Sequence, residues 1–300
     1  MAKKGLITMI PPLVSFITWN RLGLTARNLK ALLATTDEFE LHLVDNNSQD
    51  GTWEYLQDLK DSRIKSRTRF EANRGPVYAG NYNLAKRAKD QYFITVDSDV
   101  NIHTPDWISR FLEAFRQFPE VGLLGAVSRE YYDRYRQPLI EKEKNGTGYL
   151  QLHRGFVEGC CQCLRPELLD QIGYWSEECC LGDAEICFRI CNYTPFKAGF
   201  FPAVEIDQVQ SISCDECGAK GYCLLKDKPR NCFDLRNEKY RNPQFKALHG
   251  WKYRKYVEEL AAGKRSAYCG SVHDGRSMEQ SCYNRHLAEE NFRYYIENAN

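Results

Sequence analysis

The first hundred residues alternate apolar segments of strand character with segments that have the apolar spacing of helices. Strands that alternate with helices predict a parallel sheet joined by right-handed crossovers. Polar clusters follow several of the strands, and ligands of open α/β sheets bind at the carboxyl ends of strands. We therefore expect an α/β protein with a ligand site at this edge. The predicted strands are 12–20, 40–44, 64–70 and 92–96, and the predicted helices between them are 21–33, 53–59 and 77–88.

The composition is that of an ordinary globular protein and gives no argument for several other classes. The chain has 300 residues with a formal net charge of +1, so no overall charge attracts it to nucleic acid or membrane. No apolar run reaches the length of a membrane-spanning helix. The 13 cysteines begin only at Cys160, and an odd number argues against a secreted disulfide framework. We expect a cytoplasmic protein, with a position at a membrane surface left open.

Two aspartates stand one residue apart where the strand at 92–96 ends, in the sequence Val96-Asp97-Ser98-Asp99-Val100. Carboxylates are preferred ligands of Mg²⁺ and Mn²⁺, which proteins often hold with one or two of them plus the phosphates of a substrate. An isolated Asp-x-Asp is also common in solvated turns, so its context must decide between the two readings.

Four motifs in the same order as in family 2 glycosyltransferases supply that context. They are the opening strand 14–20, the Asp-Asn-Asn-Ser-Gln-Asp-Gly-Thr segment 45–52, Asn73-Arg74-Gly75 with Asn81 downstream, and Asp97-Ser98-Asp99. The sequence resembles this family, whose members have the GT-A fold. The resemblance implies a Rossmann-like three-layer sandwich with a mostly parallel central sheet over residues 1–211. Its nucleotide-sugar half would cover about 1–100 and its acceptor half about 101–211.

The resemblance also implies roles for individual residues in binding a nucleotide-sugar donor. Asp45 would accept the imide N–H of uracil, a donor that cytosine lacks, although the same carboxylate could simply cap the following turn. Asp97 and Asp99 would hold Mn²⁺ or Mg²⁺, with Asp207 as a third ligand where the family often has histidine. The donor-binding residues implied by the resemblance are Thr18, Asn20, Asp45, Asn73, Gly75, Asn81, Asp97 and Ser98.

A second acidic motif lies at 181–189 and resembles the family's Glu-Asp-x-Asp-Leu-x-x-Arg segment. Gly182 replaces the usual first glutamate, and Asp183 matches the general base. Inverting sugar transfer is a single displacement at the anomeric carbon, and a positioned carboxylate can take the proton of the attacking acceptor. The alternative is an acidic residue at a helix N-terminus, where the helix dipole favours negative charge. The two roles are compatible.

Segment 128–148 is rich in tyrosine and charged residues and poor in aliphatic ones. Two interpretations are equally compatible with this composition: a mobile lid over the donor site, or an exposed hairpin.

Residues 212–300 differ from the rest of the chain and are expected to form a Cys-rich, basic extension. Its first four cysteines could hold a structural zinc ion as thiolates, or stay reduced or form a local disulfide. The basic and aromatic residues of 220–265 could form a solvated surface, or a face that binds an anionic acceptor such as phospholipid or nucleic acid. The four predicted zinc ligands are Cys214, Cys217, Cys223 and Cys232.

The sequence therefore predicts a metal-dependent, inverting, hexosyltransferase-type enzyme with a nucleotide-sugar donor, and a UDP-sugar is favoured. The acceptor is open and could be a glycan, protein, lipid or nucleic acid. Two other functions stay open at this point. One is a catalytically weak nucleotide-sugar-binding protein, and the other is a glycosyltransferase directed to nucleic acid by its basic tail.

Overall fold

The computed structural model describes residues 10–179, 181–208, 220–222 and 242–297. Their strands, in chain order, are β1 (Leu13–Thr18), β2 (Glu40–Asp45), β3 (Ile64–Arg69), β4 (Phe93–Asp97), β5 (Val100–Ile102), β6 (Val121–Gly125), β7 (Leu139–Lys144), β8 (Thr147–Leu152), β9 (Cys161–Leu164), β10 (Lys197–Phe200) and β11 (Ile206–Gln208).

Seven helices of the described residues lie between the first and last of these strands, and three more follow the last strand. In chain order they are α1 (Leu22–Leu33), α2 (Thr52–Asp58), α3 (Pro76–Leu84), α4 (Trp107–Gln117), α5 (Arg129–Arg134), α6 (Pro166–Ile172), α7 (Gly182–Tyr193), α8 (Pro243–Ala261), α9 (Gly275–Gln280) and α10 (Arg285–Glu297), with a single 3₁₀ turn at Lys220–Tyr222.

The central sheet has the strand order β3-β2-β1-β4-β9-β6-β10-β8-β7 in the described part of the chain. Only β8 and β9 of these strands run against the common direction. In the register of β1, Thr18 lies opposite Asp45 of β2, and Ile17 lies opposite Asp97 of β4. The polar segments that follow β1, β2 and β4 therefore leave the sheet at the same edge.

The strands and helices form where apolar side chains can be buried in the core. Phe93, Ile94 and Val96 of β4 are buried, as expected for a strand with its neighbours on both sides. Helix α4 buries Trp107, Phe111 and Phe115 along one face, and fully burying a side chain of this size contributes roughly 2–3 kcal/mol. The predicted α/β fold with a mostly parallel sheet is confirmed.

Apart from shifts of one or two residues at the ends of elements, the structure differs from the sequence prediction at one helix end and one short strand. The helix predicted at 77–88 ends at Leu84, after which Ala85, Lys86 and Arg87 close the last turn with backbone hydrogen bonds. The short strand β5 was not predicted. It starts directly after Asp99 and forms a two-stranded ribbon with β11, away from the central sheet.

Of the two interpretations of segment 128–148, the structure shows the hairpin. It follows the short helix α5, and its strands β7 and β8 pair antiparallel around a turn at Asn145 and Gly146, both at positive φ as tight hairpin turns require. Strand β8 also pairs with β10, so the hairpin extends the central sheet. In the residues described here, no helix is long and apolar enough to cross a membrane.

The described part of the C-terminal segment contacts the preceding domain directly. Gly173 and Cys269 form a parallel β-bridge, in which Tyr174 N–H donates to the Cys269 carbonyl at 3.0 Å and Cys269 N–H donates to Ile172 at 2.9 Å. The domain boundary at 211 and the Cys-rich character of an extension remain predictions. The predicted zinc ligands Cys214, Cys217, Cys223 and Cys232 lie outside the described residues.

Candidate active site

The first part of the site is the loop after β1. Its backbone turns sharply. Asn20 and Arg21 both have positive φ values, 54° and 65°, which are uncommon for residues other than glycine. The turn brings Nη1 of Arg21 to 3.1 Å from Oδ2 of Asp99. Thr18, at the end of β1, is buried and shares a hydrogen bond of 2.8 Å with the Thr25 hydroxyl of α1.

The loop after β2 is held against the loop after β1. Asn20 N–H donates to the Ser48 hydroxyl at 2.7 Å, and Gln49 N–H donates to Oδ1 of Asn20 at 2.9 Å. Leu22 N–H, at the start of α1, donates to Oδ2 of Asp50 at 2.8 Å. These contacts stabilise the edge of the sheet at which the predicted donor residues lie.

Asp45 is fully buried and caps the turn that follows it. Ser48 donates its N–H to both carboxylate oxygens at 3.2 Å and its hydroxyl to Oδ1, and Nε of Arg69 lies 3.5 Å from Oδ2. Burial raises the pKa of Asp45, while Ser48 and Arg69 favour the charged form. Asp45 thus caps the turn, which is the alternative role given above. Uracil recognition by Asp45 stays a prediction.

The segment before α3 carries two more of the predicted donor residues, and α3 itself carries a third. Asn73 accepts a hydrogen bond from Gly75 N–H at 2.9 Å, and Gly75 has a φ of 89° where the helix begins. Asn81 is fully buried within the helix. Its amide donates to the Trp175 carbonyl at 2.9 Å and to Glu177 at 3.0 Å, and its oxygen accepts from Trp175 N–H at 3.1 Å. Asn81 therefore packs the interior, and a donor contact for it stays a prediction.

The aspartate pair lies at the end of β4. Ser98 is buried, and its carbonyl accepts a hydrogen bond of 2.8 Å from the Asn28 amide of α1. Asp97 and Asp99 keep partial contact with solvent. The pKa of Asp97 is well above its ordinary range, first because burial disfavours its charge and then because Asp99 and Asp183 are negatively charged neighbours, while Arg21 acts in the opposite direction.

Asp183 lies in the first turn of α7. It accepts a hydrogen bond from Gly159 N–H, and removal from water nevertheless raises its pKa to about 6. A Cβ atom built on Gly159 would overlap Oδ1 of Asp183, so any larger residue at this position would displace the carboxylate. Asp183 itself remains partly exposed to solvent.

The segment Gly159-Cys160 connects Asp97 to Asp183. Asp97 N–H donates to the Cys160 carbonyl at 2.8 Å, and the Thr95 hydroxyl donates to the Gly159 carbonyl at 2.9 Å. Gly159 N–H also donates to Asp183. The end of β4 and the start of α7 therefore both form hydrogen bonds with the segment Gly159-Cys160. The structure thus brings Asp183 to the aspartate pair Asp97 and Asp99, which precedes it by more than 80 residues in the sequence.

Asp207 lies on β11, opposite Asn101 of β5. One of its carboxylate oxygens is 2.7 Å from Nε2 of His103, and most of the side chain is exposed. In the described ranges of the chain, no cluster of three or more His, Cys, Asp or Glu side chains is arranged to hold a metal ion. The role of Asp207 as a third metal ligand stays a prediction.

Two residues of the site were missed by the sequence analysis. Arg21 pairs with Asp99, and Gly159 holds Asp183. Arg21 could have been recognised as a site residue, because it is a basic residue directly after the end of a predicted strand. For Gly159 the sequence holds no such signal, because the reason for the glycine is a carboxylate 24 residues later in the chain.

The sequence profile of glycosyl transferase family 2 matches residues 14–173. The chain belongs to glycosyl transferase family 2. The match includes Asp97 and Asp99 but ends before Asp183. The chain is 26% identical over 207 residues to the uncharacterized protein y4gI of Sinorhizobium fredii, covering 60% of this chain and 22% of that protein.

The chain also resembles the uncharacterized glycosyltransferase YfnE of Bacillus subtilis, at 28% identity over 108 residues, which cover 36% of this chain and 27% of YfnE. This family 2 chain thus spans only 22% and 27% of the length of these curated relatives.

Solved structures with the same architecture show that this family 2 member has the GT-A fold. The mannosyltransferase PcManGT from Pyrobaculum calidifontis, solved in complex with GDP-Man and Mn²⁺, matches with a TM-score of 0.53 at 16% identity, covering 97% of this chain and 86% of that one. S. aureus TarS 1–349 in complex with UDP-GlcNAc matches with a TM-score of 0.51 at 17% identity, covering 66% of this chain and 58% of that one.

Proposed function

We propose that this chain transfers a sugar from a nucleotide-sugar, with a UDP-sugar favoured, to an acceptor by inverting displacement. Asp97 and Asp99 bind the metal–diphosphate part of the donor in this proposal, and Asp183 is the general base. The observation that carries it is the attachment of Asp97 and Asp183 to the segment Gly159-Cys160, which supports a base at Asp183 close to a metal bound by the aspartate pair.

The carboxylates of the site fit a divalent cation. Burial first and then repulsion from Asp99 and Asp183 raise the pKa of Asp97, while Arg21 acts in the opposite direction. A divalent ion with hard character would relieve the repulsion and accept carboxylate oxygens as ligands. When bound by Asp97, Asp99 and the donor phosphates, Mn²⁺ or Mg²⁺ would neutralise charge on the departing diphosphate.

The donor class is supported by the fold neighbours and by the loops after β1 and β2. The two neighbouring structures hold GDP-Man and UDP-GlcNAc, which are both nucleotide-sugars. In our chain the loops that carry Thr18, Asn20 and Asp45 are fixed against each other at the same edge as Asp97. A donor with its nucleoside on these loops would extend its diphosphate toward the aspartate pair.

Asp183 suits the role of general base through its environment. Its pKa of about 6 leaves it ionised near neutral pH while keeping it more basic than an ordinary aspartate. It would accept the proton of the acceptor hydroxyl, amine or thiol as that group attacks the anomeric carbon. A single displacement inverts the configuration of the sugar.

A catalytically weak nucleotide-sugar binder is the second candidate, and the proposed reaction can be separated from it by donor hydrolysis. We would incubate the protein with a panel of nucleotide-sugars in Mn²⁺, Mg²⁺ or excess chelator and measure the nucleoside diphosphate released. The proposal expects metal-dependent release from at least one donor and a loss of roughly 10²-fold in Asp183→Asn. Binding without metal-dependent release, for every donor tested, would favour the binder.

The proposed acceptor is a glycan, a protein, a lipid or a nucleic acid. The positive charge of the basic tail would favour an anionic acceptor, but acidic side chains neutralise part of this charge. Lys252 pairs with Glu290 at 3.2 Å, and Lys255 lies 3.9 Å from Glu259, so part of its charge is already compensated. Salt-dependent binding to DNA would be the measurement that favours a nucleic-acid acceptor.

A further inference from the structure

The residues that lead into α7 are held mainly by side chains from the end of the chain. We call residues 173–179 the base loop, because they precede Asp183, and residues 256–291 the clamp segment. The base loop contains Glu177 and Glu178, which are both buried. Buried carboxylates are costly unless they are paired or hydrogen-bonded, so their partners define what holds this loop.

Glu177 is bound mostly by the clamp segment, with the Asn81 amide of α3 as a further donor to its Oε1 at 3.0 Å. The Ser271 hydroxyl donates to its Oε1 at 2.6 Å, while Val272 N–H at 3.0 Å and the Tyr283 hydroxyl at 2.5 Å donate to its Oε2. The amide of Asn291 donates to the Glu177 backbone carbonyl at 2.7 Å. The clamp segment thus satisfies both the side chain and the backbone of this residue.

Glu178 is held in the same way. Nη1 of Arg265 lies 2.5 Å from its Oε2, and Asn284 N–H donates to its Oε1 at 3.0 Å. Arg265 also donates to Glu259 at 3.1 and 3.2 Å, and its guanidinium lies 5.0 Å from the ring centre of Tyr256. Because these charges are mostly buried, removing either partner would leave the other charge buried without compensation.

Helix α7 itself is fixed by a third contact with the clamp segment. Glu185, two residues after Asp183, is fully buried and accepts hydrogen bonds from Arg189 at 2.7 and 3.0 Å and from Ser176 N–H at 2.7 Å. Tyr256 donates its hydroxyl to Glu185 at 3.4 Å. Arg189 also donates to the Ala267 carbonyl of the clamp segment at 3.1 Å.

We propose that the clamp segment positions Asp183, and that Tyr256, Arg265 and Tyr283 are positioning residues of the active site. The proposal rests on the proposed function, in which Asp183 is the base. It makes the end of the chain part of the catalytic domain, although the family profile ends at residue 173. Donor binding at Asp97 and Asp99 depends on the sheet, which these contacts do not include.

The experiment uses the full chain, and its first variants lose only hydroxyl groups. The test variant is Tyr256→Phe combined with Tyr283→Phe, and the matched control is Tyr193→Phe, an exposed tyrosine of the same helix α7. Arg265→Ala, with Arg265→Lys as its conservative rescue, gives an independent test if the double variant has little effect.

The first measurement is hydrogen exchange of peptides that cover 173–193, with peptides of β4 as the internal reference. We expect exchange over 173–193 to accelerate about tenfold or more in the double variant and in Arg265→Ala, because hydrogen bonds to buried carboxylates are lost. Arg265→Lys should recover part of the protection. Tyr193→Phe and the β4 peptides should be unchanged.

The second measurement is metal-dependent donor hydrolysis. We expect kcat to fall about tenfold with KM within twofold of the wild type. Unchanged exchange over 173–193 in both the double variant and Arg265→Ala would overturn the proposal, as would a rise in KM with kcat unchanged. If the wild-type protein hydrolyses no donor while exchange responds as expected, the clamp is supported and the proposed function fails.

Discussion

Replacing Asp183 by asparagine should stabilise the protein while it removes the activity, and the size of the effect follows from the pKa. The folded protein raises the pKa of Asp183 from its ordinary value of 3.8 to about 6, chiefly because burial disfavours the charge. A change of one unit in pKa corresponds to about 1.4 kcal/mol, so the charge destabilises the folded state by up to about 3 kcal/mol.

The sign of this effect gives it a characteristic pH dependence. Below pH 3.8 the carboxyl is protonated in both the folded and the unfolded chain, so its ionisation costs nothing. The destabilisation grows as the pH rises from 3.8 to about 6 and is complete above it. At pH 5 roughly half of the full effect is present, as follows from the two pKa values.

We expect Asp183→Asn to raise the free energy of unfolding by ~1–3 kcal/mol at pH 8, the lower part of this range allowing for the partial exposure of the side chain. The gain should be about half as large at pH 5. Urea unfolding of the metal-free protein at both pH values measures it. Asp58→Asn, at an exposed position of α2, is the matched control and should change stability little at either pH.

The same substitution should lower the rate of transfer by roughly 10²-fold or more, as expected for a lost general base. In the wild type, the rate should rise with pH through about 6 as Asp183 becomes ionised. If the variant is less stable than the wild type at pH 8, or equally stabilised at pH 5 and pH 8, then burial does not raise the pKa of Asp183 as we infer.

Three further predictions concern the rest of the site and the tail. Asp99→Asn should remove the gain in UDP affinity that Mn²⁺ provides, and titration calorimetry with and without the metal checks this. Gly159→Ala should displace the Asp183 carboxylate and lower kcat of donor hydrolysis at least tenfold, whereas Gly80→Ala, whose added Cβ would only touch Ile17 at 3.8 Å, should not. Metal analysis of protein purified under reducing conditions should find about one zinc per chain, lost in Cys217→Ser, and its absence with all thiols reactive would refute the zinc site.

The elements of the first half of the chain could be predicted because local patterns determine them. Strand β4 is aromatic and β-branched and ends at two aspartates, so both its place and its exit could be recognised from the sequence. Strand β5 has only three residues, which is too short for a periodic pattern, and its partner β11 lies about a hundred residues later. Long-range pairing of this kind leaves no local signal.

The acidic residues of the site were found through motifs, but their surroundings were not. Asn81 belongs to a motif of the resemblance, yet its amide binds Trp175 and Glu177 in the interior. The carboxylates Glu177 and Glu178 gave no sign of their partners, which lie about 80 to 115 residues further along the chain. Such contacts depend on the tertiary fold, and sequence spacing cannot supply them.

The proposed reaction is an inverting displacement at the cluster of Asp97, Asp99 and Asp183. Real-time NMR of donor turnover in Mn²⁺ can test it, because the anomeric configuration of the first product can be read before it mutarotates. We expect a product with the configuration opposite to that of the donor, formed by the wild type and strongly reduced in Asp183→Asn. A product with retained configuration, or turnover equal in the variant, would contradict it.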